Sequence, residues 1–343
     1  TAAAAGNHTH TPASEALNLL VNPGFEIWQR ATTFATPATD TYTADRWIVR
    51  LTGASTWTSI DREGTTIDTP SRYSLKAVYV HVAAGAGLID QVLEDYFQLR
   101  GKTLTFAVRA RPSAASQMRL LIVDSAGSTT GSFNAGTGAF ETLTVTHTIA
   151  AGATSLSVRV DLQVSGTVYL DNAQLIVGST APTYVGLHPA DDLERCLRYY
   201  EVHGALTSNI TAYHNATAGA ETFGLSMRFA AQKGGVPTMT KAGTWAVTNC
   251  AQPATAAPNA GGYLLTSTST AGGYATFAPN GTDDLIEAVW NPALLPPIVM
   301  GFLMMQGAQP DYIQHVLGSI APMVMSMSGL YATYRAWLSL QDS

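Results

Sequence analysis

Cysteine is nearly missing. The 343 residues contain two, Cys196 and Cys250. A disulfide scaffold is therefore excluded, and with nothing else pointing to secretion the pair reads as reduced. Charge is scarce as well: Asp, Glu, Lys and Arg make up 12% of the chain, against roughly 25% in an average soluble domain. The formal net charge of −6 argues against a nucleic-acid partner, which would want a basic face. Long apolar runs are also lacking. Pro297 to Met305 and Val316 to Met327 are too short, and too broken by Pro and Gly, to cross a bilayer, so membrane insertion is not expected. The first residues have neither a charged n-region nor an apolar h-region and do not read as a signal peptide.

The motifs of common catalytic chemistry are absent too. There is no Gly-x-Ser-x-Gly, phosphate-cradling Gly-rich loop, His-Glu-x-x-His or Cys-x-x-Cys. No carboxylate pair of the kind that cleaves polysaccharides stands out. The expectation is a protein that is not an enzyme.

Thr, Ser, Ala and Gly fill the space that charge leaves, and short alternating segments run along most of the chain. Between residues 18 and 180 the pattern predicts strands at Arg46 to Leu51, Thr56 to Asp61, Ser74 to Val82, Gly87 to Val92 and Thr103 to Arg111. Four more follow at Met118 to Asp124, Phe140 to Thr148, Ser155 to Val164 and Val168 to Ile176. Many short strands with Gly and Ser turns predict an antiparallel sandwich. In the fifth of these, Leu104, Phe106 and Val108 make one face and Thr105, Ala107 and Arg109 the other.

The sandwich is framed by NLLVNPGFEIWQR (Asn18 to Arg30) and GTVYLDNAQLI (Gly166 to Ile176); both read as strands, the first with an Asn-Pro-Gly turn and then the alternation of Phe25 and Ile27 with Glu26 and Trp28. NPGFE near a domain's start and YLDNAQL near its end resemble the jelly-roll carbohydrate-binding modules appended to xylanases and related enzymes. NPGFEIWQR followed by YTADRW (Tyr42 to Trp47) resembles domains of that shape in structural proteins of tailed bacteriophages. The resemblance covers roughly residues 18 to 180 and implies a jelly-roll β-sandwich.

It also implies two sites. The modules' opening Glu and closing Asp, here Glu26 and Asp171, would hold a structural Ca²⁺, whose hard oxygen ligands come from separate segments. The other reading is that both carboxylates cap turns through backbone N–H groups. A sugar-binding face would need exposed aromatic rings. Trp57, Tyr73 and Tyr79 are the candidates, with Trp57 expected to be the most exposed, whereas Trp28 and Trp47 fall in the opening motif and are expected in the core.

The rest divides in order. Residues 1–17 are a small-residue leader or attachment segment. Its His8 and His10 point to one side of an extended chain. GNHTHT resembles His-x-His motifs of phage fibres, in which three chains on an axis would gather imidazoles around a transition metal; otherwise the two are solvated side chains in a linker. Residues 181–203 form a linker helix that starts at Pro189 with Asp191 and Asp192 in its first turn. Leu193, Cys196, Leu197 and Tyr200 make its apolar stripe, which argues for a buried structural Cys196 rather than a nucleophile.

Residues 204–292 predict a second, smaller β-domain. Its strands are expected at Phe223 to Arg228, Thr238 to Lys241, Thr244 to Asn249, Gly262 to Ser267 and Gly273 to Phe277, with a turn at Gly234 to Pro237. Asp283, Asp284 and Glu287 read as a solvated edge. CLRYYE and FGLSMRFAAQKGGVPTMT resemble the C-terminal domain of the same phage proteins. Residues 293–343 form an apolar tail with six of the nine methionines, expected to be covered by another subunit or protein.

The expected function is that of a virion fibre or spike subunit, of tail or head, on the extracellular face. It would be a homotrimer joined to other virion proteins and would bind a host cell-surface polysaccharide through its β-sandwich. The alternatives are a carbohydrate-binding module of a secreted glycoside hydrolase, a glycan-cleaving tail spike, or a purely structural collar or decoration protein.

Overall fold

The structure, a computed structural model, describes residues 17–69, 71–204, 210–280 and 283–291. The leader with His8 and His10 (apart from Leu17) and the Met-rich tail lie outside the described residues.

Twelve strands come first: β1 (Thr33–Ala35), β2 (Thr41–Tyr42), β3 (Ile48–Thr52), β4 (Thr56–Glu63), β5 (Ser74–Val80), β6 (Ala86–Val92), β7 (Thr103–Pro112), β8 (Met118–Asp124), β9 (Gly127–Thr130), β10 (Glu141–Thr148), β11 (Leu156–Leu162) and β12 (Gly166–Val177). All their pairings are antiparallel. They make two six-stranded sheets, ordered β1-β4-β5-β12-β7-β10 and β2-β3-β6-β11-β8-β9. This is a jelly-roll β-sandwich, as the strand spacing and the resemblance led one to expect. Strands such as β8 and β10 bury alternate residues between the sheets. Leu104, Phe106 and Val108 of β7 face Leu120 and Ile122 of β8 and Val158 and Val160 of β11 in one apolar core.

The outer faces differ in chemistry. On the second sheet Asp90 is wholly buried beneath Arg50 and Arg159, which reach it at 2.7 and 2.9 Å, and Arg119 pairs with Asp161 at 2.8 Å. That face is closed by its own ion pairs. On the first sheet the outer face over β7 and β10 carries a row of threonines, Thr142, Thr144, Thr146 and Thr148.

The opening stretch is not a strand. Leu19 donates its N–H to the Leu175 carbonyl and Asn18 bonds the backbone of Ala173 and Leu175, so residues 18 and 19 run beside β12. It then turns, with Asn22 (φ 54°) and Phe25 (φ 54°) in the left-handed region, where Asn is tolerated better than most residues. The Asn22 side chain donates to the carbonyls of Ile27 and Asp45 and accepts from the Ile27 N–H, while its own carbonyl takes the Trp47 indole N–H. The expected Asn-Pro-Gly turn is present, but the alternation of Phe25 and Ile27 with Glu26 and Trp28 after it belongs to no strand.

After the sandwich come α1 (Pro189–Leu197), β13 (Tyr200–Gly204), β14 (Ala212–Ala216), β15 (Thr222–Arg228), β16 (Thr238–Lys241), β17 (Ala246–Thr248), β18 (Ala254–Asn259), β19 (Gly262–Thr268), β20 (Gly273–Ala278) and β21 (Leu285–Val289). The strands form three small sheets, β13-β21-β16, β14-β20-β17 and β15-β19-β18, around Trp245, Tyr263, Leu265 and Phe277. Both β-domains belong to one compact unit that ends at Trp290.

Two expectations are corrected. Helix α1 buries Asp192 and Cys196, while Leu193 is exposed and Tyr200 already belongs to β13. Asp192 goes inside because its Oδ1 accepts the Asn22 N–H at 3.0 Å. The acidic cluster is not a solvated edge either. Asp284 is buried and accepts the Asn280 N–H, and Glu287 sits on β21, the middle strand of its sheet, taking the Tyr200 hydroxyl.

Candidate functional site

The outer face of the first sheet holds a cleft of about 630 Å³. Its floor follows from the pairing of β12, β7 and β10. Gln174, Ala107 and Thr144 stand in one row across the three strands, with Ile176, Thr105 and Thr146 in the next and Asp171, Arg109 and Thr142 in the one beyond. Between Asp171 and Gln174 the register shifts by one residue, and Asn172 there has φ 47°. This bulge lets Asp171 and Gln174, three apart in sequence, lie on the same outer face.

The walls come from two loops. The exit segment 179–184 forms one, held where the Gln174 amide donates to the Pro182 carbonyl (3.1 Å) and the Thr105 hydroxyl to the Gly178 carbonyl (2.7 Å). Asp68 and Thr69 form the other. Arg109 donates to both oxygens of Asp68 at 2.7 and 3.1 Å and to the Thr142 hydroxyl at 3.1 Å. That hydrogen bond from Arg109 is the main reason the Asp68 carboxyl lies below its ordinary range. The Thr142, Thr144 and Thr146 side chains are exposed. Tyr184 is the aromatic residue of the lining. Its hydroxyl packs against the backbone at Gly24, where a Cβ would lie 3.2 Å from the oxygen.

An acidic group sits beside the cleft. Asp171 is wholly buried and accepts from the Asp68 N–H (2.9 Å), the Ser71 hydroxyl (2.8 Å) and the Asn172 N–H (2.8 Å). Burial nevertheless raises its pKa to about 7. Glu26 accepts the Arg72 N–H at 2.9 Å. Burial, then the charges of Asp192, Asp171 and Glu26, push the Tyr184 hydroxyl above its ordinary pKa. The structure thus brings Glu26 and Asp171 onto donors of Asp68, Ser71 and Arg72, as caps of backbone and hydroxyl groups. Among the described residues no three His, Cys, Asp or Glu side chains converge as a metal-holding group.

The predicted aromatic platform is corrected. Trp57 and Tyr79 are each 1% exposed and pack together inside the sandwich, ring centroids 5.2 Å apart. A bulge at Trp57–Ser59 changes the alternation of β4, so the Thr and Ser residues that flank Trp57 do not mark it as outward. Tyr73 is half-buried, with Arg62 4.3 Å and Arg72 5.7 Å from its ring, and does not line the cleft. Trp28 and Trp47 are in the core as expected. The Thr142–Thr144–Thr146 row was visible as alternation in ETLTVTHT. Tyr184 and Gln174 were not, because the bulge and the path of the exit segment place them.

Cys196 and Cys250 are free and buried. Burial, with Asp45 and Asp192 nearby, pushes the Cys196 thiol well above its ordinary pKa, which removes the thiolate a nucleophile would need.

No protein-family model matches the chain, and no curated protein matches it. Similar solved structures include the enzymatically active domain of bacteriophage CBA120 tailspike protein 4, with 12% identity and a TM-score of 0.33 over 47% of this chain and 21% of that one. This chain thus spans about a fifth of the tailspike chain's length. The C-terminal family 22 carbohydrate-binding module of Clostridium thermocellum Xyn10B has 21% identity and a TM-score of 0.32, over 44% of this chain and 96% of that one. TmCBM61, solved with β-1,4-galactotriose, has 13% identity and a TM-score of 0.32, over 48% of this chain and all of that one (100%). These likenesses are of fold alone.

Proposed function

We propose that the protein binds a glycan, without cutting it, in the cleft over β12, β7 and β10. The observation that carries the reading is the cleft's make-up: a concave site of ligand size whose lining presents hydroxyls and the amides of Asn172 and Gln174, with a guanidinium at one end. Such convergent neutral hydrogen-bonding groups suit the hydroxyls of a sugar chain. Asp68, the carboxylate in the lining, is held ionised by Arg109 and so is a poor proton donor. The test is affinity electrophoresis of the full chain in soluble polysaccharide, beside a Thr142→Val, Thr144→Val, Gln174→Ala variant. These changes keep side-chain bulk at the threonines and remove polar groups. Retardation that falls in the variant supports the reading; equal retardation of both chains sinks it.

Within that reading the protein serves as a virion fibre or spike subunit that adheres to a host-surface polysaccharide. Support comes from NPGFEIWQR, YTADRW and CLRYYE, whose side chains meet in one joint, described below. A native mass three times that of the monomer would support a homotrimer and make His8 and His10 worth a transition-metal assay. A monomer would move weight to a sugar-binding module of a secreted hydrolase. Calcium at Glu26 and Asp171 would have to replace the donors of Asp68, Ser71 and Arg72. The expected sign of it is a calcium-dependent rise in thermal midpoint that Asp171→Asn abolishes.

A further inference from the structure

We infer that the second β-domain carries its own saccharide platform, built on Tyr213 and Tyr274 and separate from the cleft. Strands β14 and β20 pair so that Tyr213 lies opposite Thr276 and Asn215 opposite Tyr274. Ala212, Ala216, Ala275 and Phe277 turn inward and are buried. The four residues of the other parity therefore share the outer face. They form a rectangle with the tyrosines on one diagonal and Asn215 and Thr276 on the other.

The two rings are 66% and 55% exposed, with centroids 5.9 Å apart and planes 31° from parallel. They form one aromatic strip in water, which is unlike singly scattered exposed apolar residues. The neighbouring strand β17 adds the exposed Thr248 opposite Thr276. Beside it, the Asn249 amide holds the Tyr274 carbonyl at 2.9 Å. No charged side chain stands among these face residues.

The chemistry fits a neutral saccharide. The electron-rich face of a tyrosine ring takes the C–H face of a pyranose, and Asn215, Thr276 and Thr248 offer donors and acceptors to its hydroxyls. Tyr supplies such area at small entropy cost. The size fits as well: the exposed parts of two tyrosines come to roughly 250 Å², well short of the roughly 800 Å² per partner of a stable protein interface. A ligand of one or two sugar rings matches that strip. Two separate sites on one chain would raise avidity for a polymer that reaches both.

The test is affinity electrophoresis of the full chain in xylan, mixed-linkage β-glucan and β-1,4-galactan. It is run on the wild type, on Tyr213→Ala/Tyr274→Ala, on Tyr213→Phe/Tyr274→Phe, and on the cleft variant with and without the alanine pair. Residual retardation of the cleft variant is expected to vanish when the alanine pair is added, while the phenylalanine pair, which keeps the rings, stays retarded. The proposal is overturned if no polysaccharide retards the wild type, or if retardation is lost wholly in the cleft variant. The latter would leave the cleft reading standing. It is also overturned if the alanine pair leaves binding intact but lowers the native mass, which would make the strip a subunit interface.

Discussion

Arg30 lies over the ring of Tyr200, its guanidinium carbon 3.6 Å from the ring centroid. The contact joins the opening motif of the sandwich to the first strand of the second domain. Arg46 covers Tyr199 in the same way at 3.8 Å, and Tyr199 stacks on Trp290, centroids 5.3 Å apart. Gly234 and Gly235 let the indole in, since a Cβ at Gly234 would come within 2.1 Å of it. Two motifs far apart in sequence thus build one joint between the β-domains.

Arg30→Ala should remove a largely desolvated cation–π contact and cost about 2 kcal/mol. Thermal unfolding should show a midpoint several degrees lower, with the two domains beginning to melt apart. An unchanged single transition would mean that the joint holds without this pair.

Trp57 belongs to the core. Its replacement by Ala should cost about 3–5 kcal/mol, seen as a lower urea midpoint. Gly87→Ala should also destabilise, by about 1–3 kcal/mol, because its Cβ would lie 2.6 Å from Tyr79 and 2.9 Å from Trp57. A Trp57→Ala chain that stays as stable as wild type but loses sugar binding would restore Trp57 as a ligand residue.

Asp171 makes stability depend on pH. Its carboxyl titrates at about 7 in the folded chain against an ordinary 3.8, chiefly through burial. The folded protein keeps a proton that the unfolded chain releases. The stability this provides is fully present below pH 3.8 and is lost as pH rises through 7. In urea unfolding with EDTA, wild type should lose on the order of 2 kcal/mol relative to Asp171→Asn between pH 5 and pH 8. A gap that stays constant over that range would rule out this titration.

The second domain has the opposite acid dependence. Lys233, wholly buried at its side chain, donates to Glu201 at 2.6 Å, and Glu201 also accepts from His203 (2.8 Å) and the Ala230 N–H (2.9 Å). Burial opposes the charge on Glu201, but the bonds from His203, Lys233 and Ala230 prevail and lower its pKa from 4.5 to about 2. The stability it contributes is present above pH 4.5 and is lost as pH falls through 2. Lys233→Met should leave a buried carboxylate without its cation, cost about 3–5 kcal/mol at neutral pH, and weaken this acid dependence. Equal denaturant midpoints at pH 7 would show that the pair contributes nothing net.

The strands were legible because burial on one face writes a period of two into residues such as Leu104, Phe106 and Val108, and the predicted β8 and β16 match the observed bounds. The three short strands β1, β2 and β9 left no such trace, since two to four residues are too few for a period to show. The opening motif misled in a physical way after its Asn-Pro-Gly turn: Phe25 and Ile27 alternate with Glu26 and Trp28 but form no strand.

By itself the sequence determined the all-β class, the helix between two β-regions, the burial of Cys196 and the Thr face of β10. These rest on local periodicity and composition, which one strand or helix expresses alone. The tertiary structure decided that Trp57 faces inward, that Gln174 and Tyr184 share a cleft with Arg109, and that Tyr213 and Tyr274 meet in the open. Those outcomes depend on a bulge, a loop path and a strand register. Each is a relation between segments far apart in the chain, and no local pattern records it.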